Sequence, residues 1–389
     1  MRFPEFSGEW KETTIGECCS ELEYGMNAPS KYFDGVNKYI RITDIDEQTS
    51  EYKQDSVVSP DAPLEDKYIV KDRDILFART GASTGKTYIY NPLDGKMYYA
   101  GFLIRANVKM EDNPKFVFYQ TQTHRYKKWV SIMSMRSGQP GINSQEYASY
   151  KFWKPCKDEQ DKISALISLL DTRIQTQKKI INKYESLIRG LTDDAFNRNI
   201  SSPKISFSNL YKDAGEGGTP STSNSEYYEG GAIPFIKIDD LVTKYLVTHK
   251  ECITEHGLHK SSAWLIPSGS VIYSNGATIG SISINTYPVC TKQGILGIIP
   301  KDNVNVEYLY YFMTSVYFRK EIHRIITEGT MKTAYLKDIN KILCPLPCLE
   351  KQNTIANRIS HYDKKIELDK RVLSLFQTQK KYLLSHLFI

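Results

Sequence analysis

The chain has 389 residues, 40% hydrophobic and 25% charged, with a formal net charge of +6 and a pI near 8.7. This composition excludes a disordered or fibrous chain, and no run nears the roughly 18 apolar residues of a membrane span. The mild positive charge permits a nucleic-acid partner without demanding one.

In chain order, the first ten residues, "MRFPEFSGEW", carry no apolar leader stretch. The seven cysteines (18, 19, 156, 252, 290, 344 and 348) are scattered and form no C-x-x-C pair. Reduced thiols, a cytoplasmic setting and no bound metal are therefore expected. The runs "KYIRIT" (38–43), "DILFA" (74–78) and "TYIYN" (87–91) predict strands bounded by turns. The stretch from Pro114 to Met133 has helical spacing and no internal breaker. After Pro155 comes a heptad seam of Ile163, Ile167, Leu170, Ile174, Ile181, Tyr184, Ile188 and Leu191, interrupted by Gln177.

The pattern then starts again. "YIRITDI" (39–45) matches "FIKIDDL" (235–241), and "DILFARTGASTG" (74–85) matches "SVIYSNGATIG" (270–280) with one residue deleted. "EQDKISALISLLDTRI" (159–174) matches "KQNTIANRISHYDKKI" (351–366), and Phe196 aligns with Phe388. The later helical stretch is Val306–Ile326, and the later seam runs Ile355, Ile359, Tyr362, Ile366, Leu373, Phe376, Leu383 and Leu387, with Asp369 and Lys380 breaking it. The chain is two tandem copies of one unit of about 190 residues. The expected class is α+β: mixed globular domains at 1–155 and 198–347, each followed by a long helix, at 156–197 and 348–389. A narrow stripe on each helix favours packing of the two as an antiparallel coiled coil. Each helix packing on its own domain is the alternative.

"GASTGKT" (81–87) imitates a phosphate loop. That loop needs four residues between its glycines and a helix after them. Here Thr80 stands where the first Gly should be, the sequence that follows reads as a strand, and the second copy has no Lys. Nucleotide binding is rejected. "PDAPLEDK" (60–67) has the letters of a nuclease site, but Asp61 and Glu65 share a Pro-containing loop that copy two lacks. His256 and His259 have no third ligand. No hydrolase, dinucleotide-binding or amino-methyltransferase motif is present.

"GGTPSTSNSEYYEGGAIPFIKIDDL" (217–241), "VIYSNGATIG" (271–280), "KQGILGIIP" (292–300) and the pre-helix P-x-x-x-E-Q (155–160), kept as "PCLEKQ" (347–352), in this doubled order, resemble the specificity subunit of type I restriction–modification systems. Copy one departs from the pattern: it lacks the Gly-Gly-Thr-Pro element. The resemblance implies a non-catalytic, DNA-reading subunit whose globular parts are target recognition domains and whose helices are spacers. It implies two methyltransferase subunits docked around the helical region, adenine methylation with S-adenosylmethionine, and ATP- and Mg-dependent restriction/translocase subunits. Cofactors would belong to those partners, none to this chain. Helices of about 35 residues span roughly 50 Å, enough to hold two domains over sites one DNA turn apart. Unlike copies imply an asymmetric, bipartite target.

Family pattern and side-chain chemistry point to the Gly-rich hairpins for reading DNA. The candidates are Arg41, Thr43, Arg79, Thr80, Ser83 and Lys86 in copy one, and Lys237, Ser274, Asn275, Thr278, Lys292 and Gln293 in copy two, with Arg136 and Lys332 at matching places after a helix. Candidates for the partner-binding helical region are Ile163, Ile167, Leu170, Ile174, Ile181, Ile355, Ile359, Ile366, Leu373 and Phe376. Two other readings compete: a coiled-coil scaffold with two β-rich interaction domains, and an enzyme, either a fused restriction–methylation protein or a stand-alone nuclease.

Overall fold

The computed structural model describes residues 2–135, 139–197, 202–276, 278–326 and 333–388. The chain forms two compact units, Met1–Gln177 with Val372–Ile389, and Lys178–Arg371.

Each unit is built on a sheet whose interior hairpin strand is buried at every position. In the first unit the strands are β1 (Glu23–Tyr24), β2 (Asp74–Ala78), β3 (Thr87–Ile89) and β4 (Leu103–Asn107). They lie in the order β1-β4-β2-β3, all antiparallel. Strand β2 is "DILFA", buried at every position: Ile75 to Ala78 are apolar on both faces, and the Asp74 carboxylate accepts from Asn107 Nδ2 at 2.7 Å and Lys71 N–H at 2.7 Å. The second unit has β5 (Tyr211–Glu216), β6 (Tyr245–Leu246), β7 (Val271–Ser274), β8 (Ile282–Asn285) and β9 (Ile295–Pro300). Their order is β5-β9-β7-β8-β6, antiparallel except for β6 on β8. The β7–β8 hairpin on β9 repeats the β2–β3 hairpin on β4.

The helical stretches differ from the sequence expectation. Each breaks in two. Pro114–Gln120 (α1) is followed by His124–Met133 (α2). After the long helix Lys157–Asn197 (α3), Val306–Thr314 (α4) is followed by Val316–Ile325 (α5). The cause is a hydroxyl at the joint. Thr123 Oγ1 accepts from the Tyr126 N–H at 3.2 Å, and Ser315 Oγ accepts from Phe318 N–H at 3.1 Å. Each side chain caps a new helix where the first one ends.

The second long helix, α6, is Leu349–His386. Each long helix begins two residues after a proline, Pro155 or Pro347. In the first unit, Ile163, Ile167 and Leu170 of α3 share a core with Leu383, Leu384, Leu387 and Phe388 of α6. Asp171 pairs with Lys380 at 2.5 Å, and Arg173 sits over the Phe376 ring. The second unit holds the later turns of α3, including Phe196, against the early turns of α6, including Ala356 and Ile359. Tyr184 meets Tyr362 at 5.9 Å between ring centroids. The helices run antiparallel within each unit and also pack on the globular part. Both sequence readings of the seam are combined.

The pre-helix glutamines anchor these joints. Gln160 is buried; its Oε1 accepts from Asn113 N–H at 2.9 Å and its amide donates to Asp112 Oδ1 and Pro155 O. Gln352 does the same for Asn305 N–H, Asn303 O and Pro347 O. Asn113 and Asn305 are themselves the N-caps of α1 and α4. The P-x-x-x-E-Q signature is thus a structural lock between the long helix and the helix pair packed on the sheet.

Candidate nucleic-acid interface

The first hairpin leaves β2 through Arg79 and Thr80. It makes one tight turn over Gly81–Ser83 and returns through Gly85 and Lys86 into β3. Gly81 and Gly85 have φ of +66° and +90°, a region that favours glycine. A strand follows, so the loop is a β-hairpin and not the strand-to-helix cradle of a nucleotide site. It is held from outside. Gly81 N–H donates to Pro140 O at 2.9 Å and Ile142 N–H to Arg79 O at 2.9 Å. The Tyr147 hydroxyl donates to Ala78 O at 2.7 Å and accepts from Gly85 N–H at 3.1 Å. These contacts fix the hairpin before any ligand arrives.

Side chains at its tip are poised differently. Arg79 lies over the Tyr24 ring at 4.8 Å, and its Nε is buried without a hydrogen-bond partner among the described residues. Lys86 faces Glu47 at 3.4 Å. Thr80 and Ser83 are half-exposed. Beside the hairpin lies a cleft of about 420 Å³, lined by Gly81, Lys86, Thr87, Gln122, Lys127 and Val130 among others. Arg41 is committed elsewhere: its guanidinium grips Asp44 through two hydrogen bonds of 2.9 and 2.8 Å. Thr43 is exposed and donates to the same carboxylate at 3.2 Å.

In the second unit the equivalent turn follows β7. Ser274 and Asn275 are buried at 0% and 1% exposure. The Ser274 hydroxyl donates to Thr278 O, and the Asn275 amide donates to Ala334 O at 3.3 Å. Their side chains therefore shape the turn from inside and do not present themselves at its surface. Thr278, Lys292 and Gln293 are exposed. The turn abuts the 292–294 loop. Asn275 N–H donates to Gly294 O at 3.0 Å, and a Cβ on Gly276 would stand 3.2 Å from the Gly294 Cα. Lys237 caps a short turn as Arg41 does and is paired with Glu251. The Gly217-Gly218 pair is dictated by space: a Cβ on either would drive into Thr291 or into Ser262–Ala263. Arg136 and Lys332 lie outside the described residues.

The helical candidates are a correction. Ile163, Ile167, Leu170, Ile174, Ile181, Ile359 and Ile366 are buried, and Ile355, Leu373 and Phe376 are partly so. Ile355 and Phe376 pack on the cores of their own units. A heptad seam is the face a helix hides, so the seven buried side chains are spent inside their own units, while Ile355, Leu373 and Phe376 keep partial exposure. The exposed large apolar residues of the helices are others: Leu169, Ile180 and Leu187 on α3, and Leu349, Leu368, Val372, Leu375 and Tyr382 on α6.

Sequence reading also missed Tyr24, under Arg79, and Phe102, which is 58% exposed and whose carbonyl accepts from Arg79 N–H at 3.0 Å. Aligning "AGFLIR" (100–105) with "KQGILG" (292–297) places Phe102 opposite Gly294 and was the available signal. Asp61 and Glu65 pair with different surface lysines, Lys31 and Lys67. Among the described residues no cluster of His, Cys, Asp or Glu could hold a metal, and no helix is long and apolar enough to cross a membrane. The cysteines are unbonded, and burial pushes the Cys18 and Cys290 thiols up to about 11.

Two sheet-based domains that carry equivalent rigid hairpins, with each core completed by two antiparallel helices, define a tandem recognition protein. The family model described as "Type I restriction modification DNA specificity domain" matches residues 7–186 and 212–375. The chain belongs to that family and is a DNA-recognition, or specificity, subunit of the type I restriction–modification kind. The MjaVIII specificity subunit of Methanocaldococcus jannaschii is 22% identical over 99% of this chain and 92% of its own length. The MjaIX subunit of the same organism is 36% identical over 43% of this chain and 41% of its own. The HindI subunit of Haemophilus influenzae is 23% identical over 83% and 86%. In fold, the chain resembles the crystal structure of the type I S subunit from M. genitalium, with a TM-score of 0.64, 14% identity and coverage of 100% and 98%. A chain from a type I complex-assembly structure gives 0.58 at 17% identity, covering 98% and 97%.

Proposed function

We propose that this subunit reads an asymmetric, bipartite duplex target, one short block per recognition domain. The observation that carries the reading is the contrast between equivalent hairpins. Their backbones are held alike, by Ile142 N–H on Arg79 O and by Ala334 N–H on Asn275 O. Their tips are unlike: a stacked arginine, Thr80, Ser83 and Lys86 in one, and Thr278, with Lys292 and Gln293 on the abutting loop, in the other. A common frame with different donors is what reading two different base sequences requires. The chain itself supplies recognition. Two methyltransferase subunits, with S-adenosylmethionine, would methylate adenine, and ATP- and Mg-dependent subunits would restrict. Exposed apolar side chains on the long helices, such as Leu169 and Leu375 in the first unit and Leu187 and Leu368 in the second, are the residues that best suit docking of the methyltransferases.

The test is to map adenine methylation in cells carrying the methyltransferase with and without this chain. A split motif that needs the chain supports the reading. Exchange of residues 1–155 for another recognition domain should then change one block only. Methylation indifferent to the chain would sink the proposal and leave the coiled-coil scaffold reading.

A further inference from the structure

Two domains that read different bases still meet the same phosphates. Whatever recurs at identical register in both is therefore suited to the backbone, and whatever differs is suited to the bases. The pair α2 and α5 meets that criterion. Their caps, Thr123 and Ser315, and their buried anchors, Tyr126 and Phe318, are each 192 residues apart. So are two adjacent exposed cations: Lys127 and Lys128 on α2 correspond to Arg319 and Lys320 on α5. None of the four has an ion-pair partner among the described residues. Three of the other candidate cations, Lys86, Arg41 and Lys237, are instead paired with carboxylates.

Position supports the same reading. Lys127 lines the cleft beside the first hairpin, together with Lys86. Helix α2 is seated on that hairpin so closely that a Cβ on Gly85 would stand 2.5 Å from Val130 Cγ1. In the second unit, Phe318 of α5 packs edge-on against Tyr273 of β7 at 6.0 Å, on the strand that leads into the second turn. Each basic helix is thus rigidly indexed to the element that carries the base-reading candidates.

We propose that Lys127 and Arg319 are equivalent phosphate contacts, one per recognition domain, that set each hairpin's register on duplex DNA without reading sequence. Lys128 and Lys320 flank them. This rests on the DNA-reading proposal above.

The test uses the complex with its methyltransferase subunits and the double variant Lys127→Ala/Arg319→Ala. Binding is measured from about 50 to about 200 mM salt on two duplexes, one with the mapped target and one with both blocks scrambled. The expected result is equal weakening on both duplexes and an unchanged specificity ratio. The slope of log affinity against log salt should become shallower by about 1.8, from about 0.9 per lost phosphate contact, so that the wild-type advantage shrinks about twelvefold across that salt range. Lys127→Arg/Arg319→Lys should keep the wild-type slope. An unchanged slope in the alanine variant overturns the proposal, as does a loss confined to the target duplex, which would make these residues base readers. Both are distinct from a wild-type complex that fails to distinguish the duplexes, which sinks the DNA-reading proposal and the phosphate-contact proposal with it.

Discussion

At the scale of single residues, the hairpins show why glycines that look interchangeable in the repeat are not. Gly85 and Gly280 both have positive φ, +90° and +107°. A Cβ on Gly280 would meet open space, whereas one on Gly85 would strike Val130. Gly280→Ala should cost about 1–2 kcal/mol from backbone strain alone. Gly85→Ala should cost more, because Val130 or the hairpin must also move, and it should degrade the first target block selectively. Urea unfolding and half-site binding would check the pair; equal costs would contradict the packing account. Gln160 makes a second residue-scale case. Its amide satisfies Asn113 N–H, Asp112 and Pro155 O in a buried site. Gln160→Ala should lower stability by about 2–3 kcal/mol, since buried polar groups are left unpaired.

At the scale of elements, the joints between recognition domain and long helix use one chemistry with two sources of charge. Tyr119 donates to Asp171 at 2.8 Å, and Tyr311 donates to Asp363. In the first unit the cation on the carboxylate is Lys380, from the far end of α6. In the second it is Lys244, from the loop before β6, with its side chain 10% exposed and within 3.4 Å of both Glu307 and Asp363. This explains the seam break at Lys380: the charge sits where it meets Asp171 and the Tyr119 ring. Lys244→Met should destabilise the second unit by about 2–3 kcal/mol. Two carboxylates would lose their cation, an effect tempered by their partial exposure. Hydrogen exchange confined to residues 178–371 would show it; a loss spread evenly over both units would argue against a local joint. The terminal turns of the long helices are joints too. Phe388 packs on Phe116 at 5.2 Å and Phe196 on Tyr308 at 5.1 Å. Phe388→Ala should open the first unit and Phe196→Ala the second, each at about 3–5 kcal/mol.

At the scale of the whole molecule, the repeat, the α+β class and the family were legible in the sequence. "DILFA" was legible because a buried strand needs little context. Pro155 and the Pro345/Pro347 pair marked the helix starts because proline's fixed φ and missing N–H are tolerated at the edge of a helix and not inside it. The breaks at Thr123 and Ser315 were hidden, since periodicity runs straight through a capping hydroxyl. The fates of Arg41, Ser274 and Asn275 were hidden for a different reason. A cation or an amide on a turn has the same spelling whether it faces solvent or is spent on its own chain.

The sequence by itself therefore determined the doubled plan, since hydrophobic period and turn residues are local properties that repeat wherever the unit repeats. The tertiary structure alone decided which polar groups remain available and that each unit's core is completed by the end of the other copy's long helix. Both depend on contacts between residues up to a few hundred positions apart, such as Phe116 with Phe388, whose meeting no local pattern encodes.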